Sequence, residues 1–312
     1  MRSEVMDARR AVVVGPLFLD VVLGPFSSVP KPGQELWAEG CEFLAGGAAN
    51  QARALLQVGI SVDLCSYVGE DIAGHMVAEL LAEEGISSVL LQEIPRQAVT
   101  ASLSVGSERA MASFGSCEAP PLEGEAPAVL IGDLRALAKN RQVVQSWRRE
   151  GTLVIGDVGW DSTGAWNPVD LEPLDMVDVF VPNRDEALEY TRCADVDTAI
   201  DHLSQMVPNV IVTSGADGIT VRGESSFSLP AFNVKTIDPT GAGDVFSGVL
   251  AWSLLEGGSL LQAASCASVA AGISTESLGG AGAPTIAQLS RRLKDIPTAL
   301  PTMFDVSQIP GL

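Results

Sequence analysis

Lysine and histidine are scarce in this sequence, and each shortage closes off a chemistry. Only four lysines occur, Lys31, Lys139, Lys235 and Lys294, and none sits in the GxxxxGK[ST] pattern of a phosphate-binding P-loop. Any nucleotide chemistry must use other groups. The two histidines, His75 and His202, are too few for a histidine-built zinc site. Both lie in helix-like amphipathic stretches that read as surface or packing positions. The five cysteines stand at least 24 residues apart, which supports neither a disulfide framework nor a CxxC metal knuckle. Positive charge is short as a whole: 19 Lys+Arg against 39 Asp+Glu leave a net charge of −20. Such a surface repels a phosphate backbone, so no nucleic-acid partner is expected. No apolar run approaches the ~18 residues of a membrane span. The start, MRSEVMDARR, is charged and is not followed by the apolar core and cleavage site of a signal peptide. The expectation is a cytoplasmic protein without a membrane partner.

What is present is a chain of 312 residues, 46% of them hydrophobic, enough for a large core. Valine- and isoleucine-rich runs recur at Ala11–Val14, Val62–Tyr67, Ala128–Ile131, Leu153–Ile155, Val177–Val181 and Val210–Thr213, the pattern of buried parallel strands. Amphipathic segments stand between and beyond them at Ala48–Val58, Ile72–Glu84, Arg135–Arg149, Arg184–Thr191, Val196–Met206, Ala242–Glu256 and Leu260–Ser277. Strand and helix in alternation predict an α/β fold with helices on both faces of a mostly parallel sheet. Two stretches break the rhythm. Phe18–Leu23 with Glu35–Leu44, and Val99–Val105 with Ala110–Gly115, lack an intervening helix and predict a small antiparallel β lid.

Two glycine-rich turns carry the chemistry. Asp238-Pro-Thr-Gly-Ala-Gly-Asp244 leads into a long apolar helix. Small residues at 241–243 let backbone N–H groups point outward at a helix N-terminus, where the macrodipole adds roughly half a positive charge. That is a cradle for an anion such as a phosphoryl group in transfer. An acid beside it repels the anion unless it faces a hydroxyl and removes its proton, which makes Asp244 a candidate general base. The second turn, Gly46-Gly47-Ala48-Ala49-Asn50, opens another helix. Its glycines permit close backbone approach, and Asn50 offers a donor and an acceptor to a polyol.

Together these segments resemble the ribokinase-like, or PfkB, carbohydrate kinases: Gly46–Ala52 with Gly59 and Gly69 matches the family's N-terminal signature, and Asp238–Asp244 its C-terminal one. The resemblance implies a three-layer α/β/α ribokinase-like fold, with the core at 1–17, 45–98 and 117–312 and the lid at 18–44 and 99–116. It implies transfer of the ATP γ-phosphate to a hydroxymethyl group of a sugar, with Asp244 as base and Gly241, Ala242 and Gly243 as anion hole. Asp20, Gly46, Gly47 and Asn50 would hold the sugar, with Asp133, at the end of a strand, as a further candidate. Asn183 and Glu186 match the NxxE element that orders Mg2+ through water. Thr213, Gly215 and Gly218 fall where the family binds nucleotide, and Ser268 at the adenine edge. Asp238, Thr240, Thr275, Leu278 and Gly280 match positions where many members hold a monovalent cation such as K+. The lid's apolar outer face would pair with a second copy.

Two other readings stand beside this one. A nucleoside kinase of the same fold would need an apolar slot for the base. Aromatics are only 5% of the chain, with Phe18, Trp37 and Phe114 as candidate walls. A silent sugar- or nucleotide-sensing protein of the same fold would need no base beside its anion cradle.

Overall fold

A computed structural model describes residues 10–294 apart from 106, 107, 160 and 162. The parts of the expected core at 1–9 and 295–312 lie outside the described residues. In chain order the strands are β1 (Arg10–Val14), β2 (Leu17–Phe26), β3 (Gly40–Gly47), β4 (Ser61–Gly69), β5 (Leu91–Ile94), β6 (Ala98–Val105), β7 (Glu108–Phe114), β8 (Val129–Asp133), β9 (Leu153–Asp157), β10 (Val179–Phe180), β11 (Asn209–Thr213), β12 (Ile219–Arg222) and β13 (Phe227–Leu229). The α-helices are α1 (Ala48–Gln57), α2 (Ile72–Glu84), α3 (Leu134–Lys139), α4 (Arg141–Glu150), α5 (Arg184–Thr191), α6 (Val196–Leu203), α7 (Ala242–Leu255), α8 (Leu260–Ser274) and α9 (Ile286–Lys294).

The main sheet has nine strands in the order β13-β12-β11-β10-β9-β8-β1-β4-β5. Its pairs from β11 through β10, β9, β8, β1 and β4 to β5 are parallel, and β12 and β13 extend it antiparallel. Continuous apolar runs form these strands because both faces are covered. In β1, Ala11 and Val13 join the core under α1, α7 and α8, while Val12 and Val14 join the core under α3–α6, and all four are at most 1% exposed. The three-layer α/β/α arrangement follows directly from that division. Among the described residues no helix is long and apolar enough to cross a membrane.

Three expectations about elements need correction. The single helix at Arg135–Arg149 is two helices, because Asn140 turns inward. Its side chain donates to Ala136 O at 2.9 Å and accepts from Leu122 N at 2.7 Å, which binds a loop where the helical ladder would have continued. The strand at Val177–Val181 shrinks to the two residues of β10. The helix expected to reach Ser277 stops at Ser274, and the Thr275 carbonyl is bonded by the N–H groups of Ile237 and Asp238.

The lid is the four-stranded sheet β3-β2-β6-β7. Two antiparallel pairs, β2 with β3 and β6 with β7, are joined by a parallel seam between β2 and β6. The strand expected within Glu35–Leu44 begins only at Gly40 and runs on to Gly47. Registered side chains share a face, so Asp20, Thr100 and Ser113 lie on one side. That side faces the core: Ser104 Oγ donates to Ile237 O at 3.1 Å, and a side chain at Gly279 would meet Leu44 and Val22. Val21, Leu23, Phe43, Leu103 and Phe114 lie on the other side.

Candidate active site

The carboxyl ends of the parallel strands and the N-termini of α1 and α7 converge beneath the lid. Gly241 takes a left-handed φ of 76° and caps α7 without a side chain. Only a residue lacking Cβ adopts this turn at little cost. The N–H of Ala242 goes to Pro239 O at 3.2 Å, and the first turn closes from Val245 N to Gly241 O at 2.9 Å. Helix geometry therefore leaves the N–H groups of Gly243 and Asp244 without an intrahelical acceptor. No atom lies within 4 Å of where a Cβ on Gly243 would stand. A donor pair at a helix N-terminus thus opens on a space that fits an anion. Of the predicted cradle at 241–243, the Ala242 N–H is already engaged by Pro239 O.

Asp244 lies in the first turn of α7. Asn50 of α1 donates from Nδ2 to Asp244 Oδ2 at 3.1 Å, and Arg53 donates to Asn50 Oδ1 at 2.7 Å. That second bond fixes which way the Asn50 amide points. Arg53 is itself held by Glu84 and by Ala45 O. Gln51 donates to Asp157 Oδ2 at 2.6 Å and lies near enough to Asp244 to lower its carboxyl. Burial pushes the Asp244 carboxyl up to about 6, against the lowering pull of Asn50, Arg109, Arg53 and Gln51.

Asp20 reaches this place from β2. Burial, then the charge of Asp244, raise it to about 6, opposed by Arg53, Arg109 and the Thr100 hydroxyl. A side chain on Gly46 would overlap the Asp20 carboxylate, and one on Gly47, where φ is 64°, would strike Pro16 O. The two glycines are required by sterics before any ligand is considered. Asp133 ends β8 and caps α3, its Oδ1 accepting from Arg135 N at 2.9 Å and Ala136 N at 3.0 Å. Burial raises its pKa. A structural cap thus accounts for one oxygen of this sugar-binding candidate.

On the nucleotide side, Asn183 and Glu186 form a reciprocal capping box on α5. Asn183 Oδ1 accepts from Glu186 N at 3.0 Å, and Glu186 Oε2 accepts from Asn183 N at 2.7 Å. Burial pushes Glu186 up to about 7, the Asn183 N–H opposes it, and the nearby Asp244 adds to the rise. Thr213 ends β11 and bridges to Asn183. Gly215 and Gly218 take positive φ values of 54° and 89° in the following turn, and a side chain on Gly218 would strike Leu229 O. Ser268 is buried in α8.

The residues expected to hold a monovalent cation meet at the segment before α7. Asp238 Oδ1 accepts from Thr240 N and Oγ1 at 3.0 and 2.7 Å, and Oδ2 accepts from Gly279 N at 2.9 Å. Thr275 O is bonded by two N–H groups, Leu278 is half-buried, and Gly280 lies in the short 3-10 turn Gly279–Gly282. Both Asp238 oxygens have donors from the chain itself.

The three aromatics expected to wall a base slot do not converge. Phe18 shares the inner face with Asp20, whereas Phe114 is registered with Val99 on the outer face. Trp37, 86% exposed, lines an open cavity with Leu23, Phe26, Glu35 and Glu39. Conversely, the structure adds residues that sequence reasoning missed: Gln51, Arg53, Arg109 and Asp157. Asp157 had a visible signal, since Ile155-Gly156-Asp157 repeats Ile131-Gly132-Asp133 at the end of the next strand, and the two tripeptides are in register. Burial, then Asp244, Glu186 and Asp133, raise Asp157 well above the usual carboxylate range.

A buried carboxylate at a helix N-terminus thus lies under a β lid on a doubly covered parallel sheet, and the family match that follows makes the chain a phosphotransferase with an alcohol group as acceptor. Residues 12–286 match the family described as pfkB family carbohydrate kinase, and the chain belongs to that family. It is 26% identical over 299 residues to a ribokinase of Lactococcus lactis, covering 91% of this chain and 97% of the relative. It is 29% identical over 318 residues to the bifunctional protein HldE of Bradyrhizobium diazoefficiens, covering 93% of this chain but only 64% of that longer protein. Among solved structures it superposes on an Arabidopsis thaliana ribokinase complexed with ribose and ATP, with a TM-score of 0.74 and 23% identity over 91% of this chain and 98% of that one.

Proposed function

We propose that this protein transfers the terminal phosphoryl group of ATP to a hydroxymethyl group of a sugar or sugar derivative, with Asp244 as general base. The observation that carries the reading is the pairing of Asp244 with the open N–H donors of its own helix turn, in contact with Asn50. The acceptor hydroxyl lies between the Asp244 carboxylate and the phosphorus. Its proton passes to an Asp244 oxygen as the hydroxyl oxygen bonds to phosphorus and the bond to the departing diphosphate breaks. The N–H groups at 243–244 and the positive end of α7 stabilise charge on the phosphoryl oxygens. With the acceptor absent, Asn50 Nδ2 donates to the base, and a bound polyol takes over that hydrogen bond. Asp20 and the backbone at Gly46 and Gly47 fix the acceptor from the lid side.

The nucleotide would lie past Thr213, Gly215 and Gly218 toward Ser268. Mg2+ would be held through water at Glu186 and Asn183, with Asp157 as a further carboxylate near them. When bound, it draws charge from the phosphates. Glu186, raised to about 7, and the more strongly raised Asp157 are carboxyls that a cation would bring back to the ionised form.

The test is Asp244→Asn, assayed by coupled ADP release against pentoses, hexoses, keto-deoxy sugar acids and nucleosides. A loss in kcat of about 10²–10⁴, the scale of general base catalysis, with ATP affinity retained, is the expected result. Near wild-type turnover would remove Asp244 from this role. ATP turnover that needs no acceptor, or none with any acceptor, would favour a sensor over a kinase. The lid's outer face, with exposed Phe43 and Phe114, is proposed as the contact with a second copy.

A further inference from the structure

We propose that Arg109 recognises an anionic group on the acceptor, so that the preferred substrate is a polyol carrying a carboxylate or a phosphate away from the hydroxyl it offers to Asp244. The inference rests on the reading of Asp244 as base and narrows its substrate class.

The geometry comes from register. Arg109 of β7 is paired with Ser104 of β6, two residues along from the Met111–Ser102 pair and four from the Ser113–Thr100 pair. Directly paired and alternate residues share a face, so Arg109 lies on the same face as Thr100 and Asp20. Ser104 marks that face as the inner one through its bond to Ile237 O, one residue before Asp238. Arg109 therefore stands on the lid's inner face, exposed like Met111 beside it, at the open rim of the cleft. Its charge is felt there by three carboxyls on three separate elements, Asp20, Asp244 and Glu186.

Two further facts separate Arg109 from an ordinary surface arginine. The other cation beside the base, Arg53, is committed to Glu84, Asn50 and Ala45 O. Arg109 forms no ion pair within 4.0 Å among the described residues. The remaining inner-face neighbours on β6 and β7 are Thr100, Ser102, Met111 and Ser113, which are uncharged. A guanidinium at the rim of a cleft otherwise rich in acids offers five donors in a planar fork that matches a carboxylate or a phosphate. Without such a group, the acids of this site give an incoming anionic sugar no reason to bind. With it, a neutral sugar leaves the fork unused.

The experiment compares wild type with Arg109→Ala and Arg109→Lys on paired acceptors: an aldonate and a 2-keto-3-deoxy sugar acid, hexose and pentose phosphates with a free primary hydroxyl, and the neutral sugar matching each. The expected result is a wild-type kcat/KM higher for at least one charged acceptor than for its neutral partner. In Arg109→Ala the KM of that acceptor should rise about 10- to 100-fold more than the KM of the neutral partner or of ATP, the range for losing a hydrogen bond to a charged group. Arg109→Lys should restore part of it. Whether the sugar acids or the sugar phosphates show the effect decides which anion is bound. Calorimetric titration of the same charged sugars without ATP reads the binding apart from chemistry and should lose the same factor. A preference for neutral sugars, with turnover abolished by Asp244→Asn, would overturn this inference and leave the kinase reading intact. A KM for ATP that rises as much as that of the charged acceptor would also overturn it, assigning Arg109 to the nucleotide. Absence of turnover with every acceptor would overturn both.

Discussion

At the scale of single residues, the site is a set of acids held above their ordinary pKa by burial and by one another. Asp244 at about 6 is the one whose ionised form does the work proposed for it. The pH profile of kcat/KM should fall as pH drops through about 6 and level off above it, because the protonated carboxyl accepts no proton. A profile flat down to pH near the ordinary Asp value of 3.8 would contradict the raised pKa. The same shifts act on stability. For Asp20, Asp244 and Glu186 the folded-state values of about 6, 6 and 7 exceed the ordinary 3.8 and 4.5. Between those limits the folded chain binds more protons than the unfolded one, so these groups favour folding at low pH and lose that contribution as pH rises through their folded pKa. Asp157 is raised in the same direction. Asp157→Asn should therefore be more stable than wild type at pH near 7, by about 0.5–2 kcal/mol, with the gap closing toward pH 4. Thermal melts across that range measure it, and a gap that widens on acidification would show the assigned direction to be wrong. The same variant should lose activity, since Gln51, which Asp157 holds, lies beside Asp244.

At the scale of elements, helix starts and glycine turns place the chemistry. The end of β3 and the start of α1 share the glycine pair whose missing side chains make room for Asp20 and Pro16. Gly46→Ala should cost about 1–3 kcal/mol of stability through overpacking and raise the acceptor KM, because the Asp20 carboxylate must move. Denaturant melts with acceptor kinetics check both parts. Wild-type values in both would show that Asp20 yields freely. These turns were readable in the sequence because their demands are local. A left-handed φ at Gly241 or a capping acid at Asn183-x-x-Glu186 depends on neighbours two or three residues away. The break at Asn140 was not readable, because Leu122, the partner that draws its side chain inward, is 18 residues distant.

At the scale of the whole molecule, the lid presents two unlike faces. The inner one carries Asp20, Thr100, Ser102, Ser104 and Arg109, and the outer one Val21, Leu23, Phe43, Leu103 and Phe114. An exposed apolar sheet face of this kind favours self-association. The chain should run as a dimer by light scattering, and Phe43→Glu with Phe114→Glu should halve its mass while leaving the melting temperature of the core within a few degrees. A wild-type monomer would remove the outer face as an interface.

The order of strands and helices, the two glycine turns and the candidate base within the second were all legible in patterns that one stretch of chain carries alone: apolar periodicity, φ requirements and helix-end dipoles. Arg53, Asp157 and Arg109 were assigned by tertiary structure only. Arg53 matters because of the amide it orients, Asp157 because three other acids crowd it, and Arg109 because cross-strand register turns it inward. What gives each its place is distant in sequence: Asn50, which Arg53 orients, reaches Asp244 across the chain, the acids around Asp157 come from other elements, and the face of Arg109 is turned inward by Ser104 reaching Ile237. Charge and burial between such distant partners exist only once the chain has folded.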